Sequence, residues 1–177
     1  SFSILGYDPE TGEVGGAVQS RVFSVGNGVL WAEADTGIVT TQAIVDVSYG
    51  PKGLALLRAG MKPEAIIRAI LDSDPDPGYR GQPWPKAGRQ FAVMDAKGNY
   101  AVHTGPEASK WAGHKTGKFC TAQGNILAGP QVVDAIVVGI PDDRLGQAVA
   151  AVDEQRLPRH VARGRRSQEK RTSRTLR

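Results

Sequence analysis

The sequence contains a single cysteine, Cys120, among its 177 residues. One thiol cannot form a disulfide within the chain, and it cannot supply the clustered thiolates of a structural zinc site. We therefore expect no disulfide, no metal and no other cofactor. Because disulfides belong mainly to oxidising compartments, their absence favours a cytoplasmic location.

Long apolar runs are also missing. No run approaches the ~20 residues that span a bilayer, and the first residues lack the charged and then apolar pattern of a signal peptide. These absences predict that the chain has no membrane partner. The hydrophobic fraction of 40% is ordinary for a globule, and the length suggests one domain with a sizeable core.

The charge of the chain is divided unevenly. The net charge is +4, but residues 154–177 hold nine Lys and Arg against two Glu. The remaining residues, 1–153, hold 13 basic and 16 acidic residues and are mildly acidic. Because the basic tail has no aromatic residue for base stacking, its composition argues against a nucleic-acid partner. Its low apolar content predicts disorder.

Alternation of apolar and polar residues predicts several strands. Two hairpins are expected, one across SFSILGYD and VGGAVQS and one across RQFAVMDAKGNYAVHTG, with further strands at VLWAEA, IVTTQAIV and KFCTAQGN. Apolar periodicity and early prolines predict helices over residues 49–60 and 62–76, and another helix after Pro130. Strands, then helices, then strands again predict an α+β layered domain.

Ser1 stands at the head of an alternating strand. A serine in the first position can be a nucleophile whose base is its own α-amino group. That amine has a reference pKa near ~8, so a useful fraction is unprotonated at neutral pH. A first serine can equally be a trimmed end without a role, and the residue type alone leaves both interpretations open.

Three further residues suit an active site but also have structural interpretations. His114, in WAGHKTG, lies in a turn-rich stretch, and Asn125, in QGNILAG, could present its amide to a developing oxyanion. Asparagine is also an ordinary turn residue, and Glu33 is either a buried or a solvent-facing carboxylate. No Ser–His–Asp order, H-E-x-x-H motif or P-loop is present.

Several blocks occur in a recognisable order: SFSILGYDPETGEVGGAVQS, VFSVGNGVLWAEADTGIVTTQA, SYGPKGLALLRAG, and WAGHKTG followed by QGNILAG. Together they resemble the domain-of-unknown-function 1028 family over about residues 1–135, and that family resembles the N-terminal nucleophile (Ntn) hydrolases. The resemblance implies an Ntn-like αββα sandwich. It also places Ser1 at the position of the candidate nucleophile, which removal of an initiator methionine would expose.

By the same resemblance, polar residues would line a substrate pocket at one end of the sheets. They are Gln19, Ser20, Glu33, Gln42 and Asn125, with His114 as a further candidate. The implied reaction is hydrolysis of a C–N bond in a small amide or ureido compound. Ser1 would attack, its amine would carry the proton, and Asn125 would stabilise the oxyanion.

The resemblance changes towards the C-terminus. Residues 132–152 resemble a fragment of the small C-terminal subdomain of acyl-CoA synthetases, but they lack its catalytic lysine region, and no ligase activity follows. We expect an Ntn-like domain at 1–135, an atypical segment at 136–153 and the basic tail at 154–177. The sandwich would then be incomplete on its C-terminal side, and its uncovered sheet would favour a homo-oligomer.

Two functions of different classes therefore stay open. The first is an amidohydrolase that acts through Ser1, motivated by the ordered blocks and the first hydroxyl. The second is a non-catalytic, truncated Ntn-like domain that serves as an assembly module or is an inert remnant, motivated by the unrelated C-terminal part.

Overall fold

The computed structural model describes residues 1–139 and 160–164. Within these residues the chain forms two antiparallel sheets and four α-helices, which confirms a mixed α and β architecture. Most of the predicted segment at 136–153 and most of the tail at 154–177 lie outside the described residues. None of the described helices is long and apolar enough to cross a bilayer.

The first sheet has five strands in the order β7-β8-β1-β2-β9, and the second has four in the order β3-β4-β5-β6. All neighbouring strands are antiparallel. The strands of the first sheet are β1 Phe2–Tyr7, β2 Val14–Gln19, β7 Ala112–Thr116, β8 Cys120–Asn125 and β9 His160–Gly164. Those of the second sheet are β3 Leu30–Glu33, β4 Gly37–Ala43, β5 Arg89–Asp95 and β6 Tyr100–Thr104.

Both predicted hairpins are present, β1 with β2 and β5 with β6, but two edge strands differ from the sequence analysis. β7 occupies a stretch whose residues indicate turns, and it pairs with β8. β9 occupies part of the tail that composition predicts to be disordered, and it pairs with β2 from Val14 to Val18. An edge strand is held by backbone hydrogen bonds to its neighbour, which do not depend on apolar content.

The two predicted helices are present as α2 Tyr49–Arg58 and α3 Pro63–Ser73. They pack on the outer face of the second sheet, where Gly50 permits a close approach, since a Cβ there would lie 2.2 Å from Trp31 Cγ. The core between these helices and the sheet is formed by Val39, Tyr49, Leu54, Leu57, Ile66, Ile67, Ile70, Phe91 and Val93.

The other two helices have different positions. α1 Gly26–Val29 is a single turn before β3, and α4 Pro130–Val138 begins at the predicted proline. α4 packs on β7 and β8, so that helices lie against both sheets. The order of layers is therefore α2 and α3, the second sheet, the first sheet, and α4.

The layer between the two sheets changes in polarity along the strands. One end is apolar and is formed by Leu5, Val14, Ile38, Ala92 and Met94. The other end is polar and fully buried, and it contains Ser3, Thr40, Gln42, Gln90, Gln123 and Asn125. Burying amides and hydroxyls costs free energy unless they are hydrogen-bonded. The polar residues at this end are therefore not explained by packing alone.

A buried ion pair joins the end of α3 to the start of β5. Arg89 Nε donates to Asp74 Oδ2 at 3.0 Å, and the two side chains are 3% and 0% exposed. The hydroxyl of Tyr49 also donates to Asp74, and Arg89 Nη1 donates to the carbonyls of Ile44 and Trp84. Burial opposes ionisation of Asp74, but the hydrogen bonds from Tyr49 and its other donors lower the pKa of the carboxyl overall.

We predict that Asp74→Asn lowers the free energy of unfolding by about 3–5 kcal/mol, because it leaves the Arg89 guanidinium buried without a counter-ion. Urea unfolding followed by fluorescence would measure the change. The matched control is Arg58→Gln, which removes the exposed partner of Glu33 and should leave the unfolding midpoint nearly unchanged. Equal shifts of the midpoint in both variants would contradict the prediction.

Candidate functional site

Ser1 lies at the polar end of the layer between the sheets. It extends the pairing of β1 with β8, because Ser1 N donates to Asn125 O at 2.9 Å and Asn125 N donates to Ser1 O at 2.9 Å. This reciprocal pair is the arrangement of two directly opposite residues in an antiparallel ladder. The backbone of Ser1 is therefore fixed by the sheet.

The side chain of Ser1 faces Ser20, which follows β2. The two Oγ atoms are 2.8 Å apart, and Ser20 Oγ also accepts the backbone N–H of Val22 at 3.1 Å. The chain segment after β2 thus holds a second hydroxyl beside the first. Ser1 before β1 and Ser20 after β2 therefore place two hydroxyls within hydrogen-bond distance of each other.

The α-amino group of Ser1 has a lowered pKa. Burial disfavours its charged form, and the nearby charge of Arg21 lowers the pKa further. An amine with a pKa below 8.0 is unprotonated to a greater extent at neutral pH, and only the unprotonated form can accept a proton. The environment of Ser1 therefore favours the form that a general base requires.

Gln90 of β5 connects the two sheets behind Ser1. Its Oε1 accepts Gln42 Nε2 at 2.8 Å and Asn125 Nδ2 at 3.1 Å. Its Nε2 donates to Thr104 Oγ1 at 2.9 Å and to the carbonyls of Gly113 and Gly124 at 3.1 Å and 2.9 Å. Gln90 is 1% exposed. This side chain therefore fixes which way the amide of Asn125 is turned.

A second part of the same network lies deeper between the sheets. Ser3 Oγ donates to Gln42 Oε1 at 2.7 Å and accepts Gln123 Nε2 at 2.7 Å. We call Ser3, Gln42, Gln90, Gln123 and Asn125 the amide network. Sequence analysis identified Gln42 and Asn125 but missed the other three members. The available signal was a polar residue at an inward-facing position of a buried strand, as in RQFAV and CTAQGN.

His114 is connected to this network through one residue. Its Nδ1 is 2.9 Å from Thr104 Oγ1, the same oxygen that accepts Gln90 Nε2. The pairing of His114 with Gln123 places it on the sheet face that carries the amide network, although on the edge strand β7. Partial burial lowers the pKa of its ring, which keeps His114 mainly neutral at pH 7.

The structure separates the other two predicted site residues from this cluster. Gln19 pairs directly with Phe2, so strand alternation places it on the opposite face from Ser3. Glu33 pairs with Gly37 at the far end of β4, about 17 Å along the strand from Gln42. There Glu33 accepts hydrogen bonds from Arg58 and Thr36, which lower its pKa.

The assembled cluster can provide a hydroxyl, an amine and an oriented amide. One N–H of the Asn125 side chain donates to Gln90, which leaves its second N–H for another acceptor. Within residues 1–139, no group of His, Cys, Asp or Glu has an arrangement that could hold a metal ion. The groups that the cluster brings together are a hydroxyl, an amine and an amide.

Comparison with known proteins assigns the family. The model of the DUF1028 family, a family of unknown function, matches residues 1–155. The chain belongs to the DUF1028 family. The match confirms the resemblance seen in the sequence blocks and reaches beyond residue 135, into the segment with a likeness to acyl-CoA synthetases.

A solved DUF1028 structure is similar along most of the chain. It is the crystal structure of protein SPO2555 from Silicibacter pomeroyi, with 30% sequence identity and a TM-score of 0.77. The match covers 93% of this chain and 75% of that one. Comparison with curated proteins gives no match. Membership of DUF1028 establishes the relationship and leaves the reaction to be inferred from the site.

We predict that Gln90→Met destabilises this DUF1028 protein by about 1–3 kcal/mol for each amide left without its acceptor, namely those of Gln42 and Asn125. Thermal unfolding would measure the loss. Gln90→Glu keeps an acceptor oxygen but adds a group whose charged form is buried. It should also destabilise, increasingly as the pH rises above ~4.3, the value for an unfolded Glu, because burial raises the pKa of the folded carboxyl. Wild-type stability in both variants would show that the amide network does not contribute to the free energy of unfolding.

We further predict that His114 and His103 titrate below 6.5, the ordinary value for the side chain. Burial lowers the pKa of both rings, and the charge of His114 lowers that of His103 further. The folded state therefore binds these protons less readily than the unfolded state. Stability should be complete above the unfolded pKa and should fall as the pH drops through the folded values.

An NMR titration of the imidazole protons measures both values directly, with the protein unfolded in urea as the reference. Urea unfolding at several pH values then tests the sign of the stability change. If the imidazole pKa values of the folded protein were equal to or higher than those of the unfolded protein, burial could not be the cause of a shift.

Proposed function

We propose that this protein is an Ntn-type amidohydrolase that cleaves a C–N bond in a small amide or ureido compound. One observation carries the proposal: Ser1 has its amine and its hydroxyl held at the end of a sheet, beside Ser20 and the oriented amide of Asn125. These are the groups that a serine nucleophile needs when its base is its own amine.

In the first half of the reaction, Ser1 Oγ attacks the carbonyl carbon of the substrate and the α-amino group takes the hydroxyl proton. The carbonyl oxygen becomes negatively charged, and the free N–H of Asn125 stabilises it. The C–N bond then breaks, and the proton passes from the amine to the leaving nitrogen. The products of this half are a free amine and an acyl ester on Ser1.

In the second half, a water molecule attacks the ester carbonyl and gives its proton to the same α-amino group. The bond between the carbonyl carbon and Ser1 Oγ breaks, and the proton returns to Oγ. The net reaction is an amide plus water giving an acid and an amine. No oxidant, reductant or cofactor is needed, in agreement with the hydroxyl, amine and amide chemistry of the site.

The layered architecture supports the same proposal. Helices, two sheets and a further helix follow one another as in the αββα sandwich that the family resemblance implies. The proposed mechanism also requires that Ser1 be the first residue of the mature protein, because an amide nitrogen in its place could not accept a proton. Intact-mass analysis and N-terminal sequencing of the purified protein test this requirement.

The remaining expectations belong to the same proposal. We propose a cytoplasmic enzyme whose partner is a small molecule, without a nucleic-acid or membrane partner, that works as a homo-oligomer. Exposed apolar side chains such as Val138 on α4, 83% exposed, are compatible with self-association. Light scattering would test it, and a monomer at all concentrations would contradict this part of the proposal.

We predict that Ser1→Ala abolishes covalent labelling by phenylmethanesulfonyl fluoride, in which Ser1 Oγ bonds to sulfur and fluoride leaves. Retaining one extra residue before Ser1 should slow labelling at least about 100-fold, in the range expected for the loss of a general base. Intact-mass spectrometry followed by peptide mapping measures both the rate and the modified residue.

The matched control is Ser24→Ala. Ser24 lies in the loop after β2, and among the described side chains its hydroxyl bonds only the side chain of Asn27. It should label at the wild-type rate. Undiminished labelling of Ser1→Ala, or modification at another residue, would exclude Ser1 as the nucleophile. It would favour the alternative of a non-catalytic Ntn-like domain.

A further inference from the structure

An exposed arginine lies beside the candidate nucleophile. Arg21 follows Ser20, whose hydroxyl contacts that of Ser1, and the N–H of Val22 bonds Ser20 on the other side. The backbone of Arg21 is thus held next to Ser20 by this turn. Its guanidinium makes no hydrogen bond or ion pair with any side chain of residues 1–139, and it is exposed.

The guanidinium of Arg21 therefore belongs to the same part of the molecule as the amine of Ser1, one residue beyond the serine whose hydroxyl contacts Ser1. Among the described residues, Arg21 is the charged side chain that acts on this amine, and it acts by repulsion. A guanidinium without a counter-ion nearby attracts an anion. The amide network behind Ser1 is uncharged and supplies no such anion.

Many of the acidic side chains lie at the opposite end of the sheets. They lie in the turns between paired strands or at the strand ends next to these turns, and they include Asp8, Glu13, Glu33, Asp35 and Asp95. Asp46 lies in the loop after β4, but its carboxylate accepts the backbone N–H of Ser48. The arrangement leaves Arg21 as a positive charge without a carboxylate partner in the described residues.

The residues after Arg21 are apolar and strongly exposed. Val22 is 62% exposed and Phe23 is 98% exposed. Large apolar side chains that lie next to each other in solvent commonly mark a binding surface. The segment can therefore contact both a negative charge and an apolar group of the same small molecule.

We propose that Arg21 binds a carboxylate of the substrate and that the substrate is an N-acyl or N-carbamoyl amino acid with an apolar side chain. This inference rests on the proposed function, since it places the carboxylate next to the bond that Ser1 attacks. Arginine suits this role because its planar guanidinium donates two parallel hydrogen bonds to a carboxylate. Val22 and Phe23 contact the apolar side chain of the substrate.

Two ligands of nearly equal size, one with a carboxylate and one with an uncharged carboxamide, test the inference: N-acetyl-L-leucine and N-acetyl-L-leucinamide. Their binding is measured by NMR titration and by the slowing of sulfonyl fluoride labelling at Ser1. We expect the carboxylate to bind at least about fivefold more tightly, as a charge-assisted hydrogen bond allows. The difference should shrink as salt is added.

The test variant is Arg21→Gln, and the matched control is Arg68→Gln, an exposed arginine on α3 against the other sheet. The preference for the carboxylate should disappear in Arg21→Gln and persist in Arg68→Gln. Equal binding of the two ligands by the wild type, no binding of either, or an unchanged preference in Arg21→Gln would each overturn the inference.

Failure of the proposed function gives a different result. If Ser1 is not labelled in the wild type, the nucleophile assignment fails. The NMR titration, which requires no reaction, then decides the carboxylate site by the same comparison of ligands and variants.

Discussion

The site depends on one pair of backbone hydrogen bonds, those that Ser1 and Asn125 exchange at 2.9 Å each. Chain ends usually fray because nothing holds them. Here the ladder between β1 and β8 extends to the first residue, so the position of Ser1 is set by the same interactions that set the sheet. Ser20 Oγ lies 2.8 Å from Ser1 Oγ, and Asn125 is the residue directly opposite Ser1 in the ladder.

The amide network is the second constraint, and packing alone does not account for it. Apolar side chains of similar size could fill the space between the sheets, as they do at the end lined by Leu5 and Met94. At the polar end, Gln42, Gln90 and Gln123 instead require a hydrogen-bond partner for every buried amide group. Gln123 Oε1 has no such partner among the described residues. Such a network orients polar groups but is less stable than an apolar core, and departures of this kind from ideal packing are common at functional sites.

Two arginines differ in the same way, one serving the fold and one lying at the polar site. The buried Arg89 is paired with Asp74 and stabilises the helical side of the second sheet. The exposed Arg21 has no such partner among the described residues, and it follows Ser20, which contacts Ser1. A paired and buried charge serves the fold, whereas an unpaired charge next to a polar site is available to a ligand.

The sequence by itself determined the two hairpins, α2, α3 and the start of α4, because alternation, periodicity and proline positions are local signals. It determined the family through the ordered blocks that resemble DUF1028. It also determined that Ser1, Ser20, Gln42 and Asn125 are candidates. Only the tertiary structure decided that Gln90 and Ser3 join them and that Gln19 and Glu33 do not, because sheet register and strand direction bring distant residues together. Sequence analysis also did not predict the edge strands β7 and β9, because backbone hydrogen bonds to a neighbouring strand hold them in place.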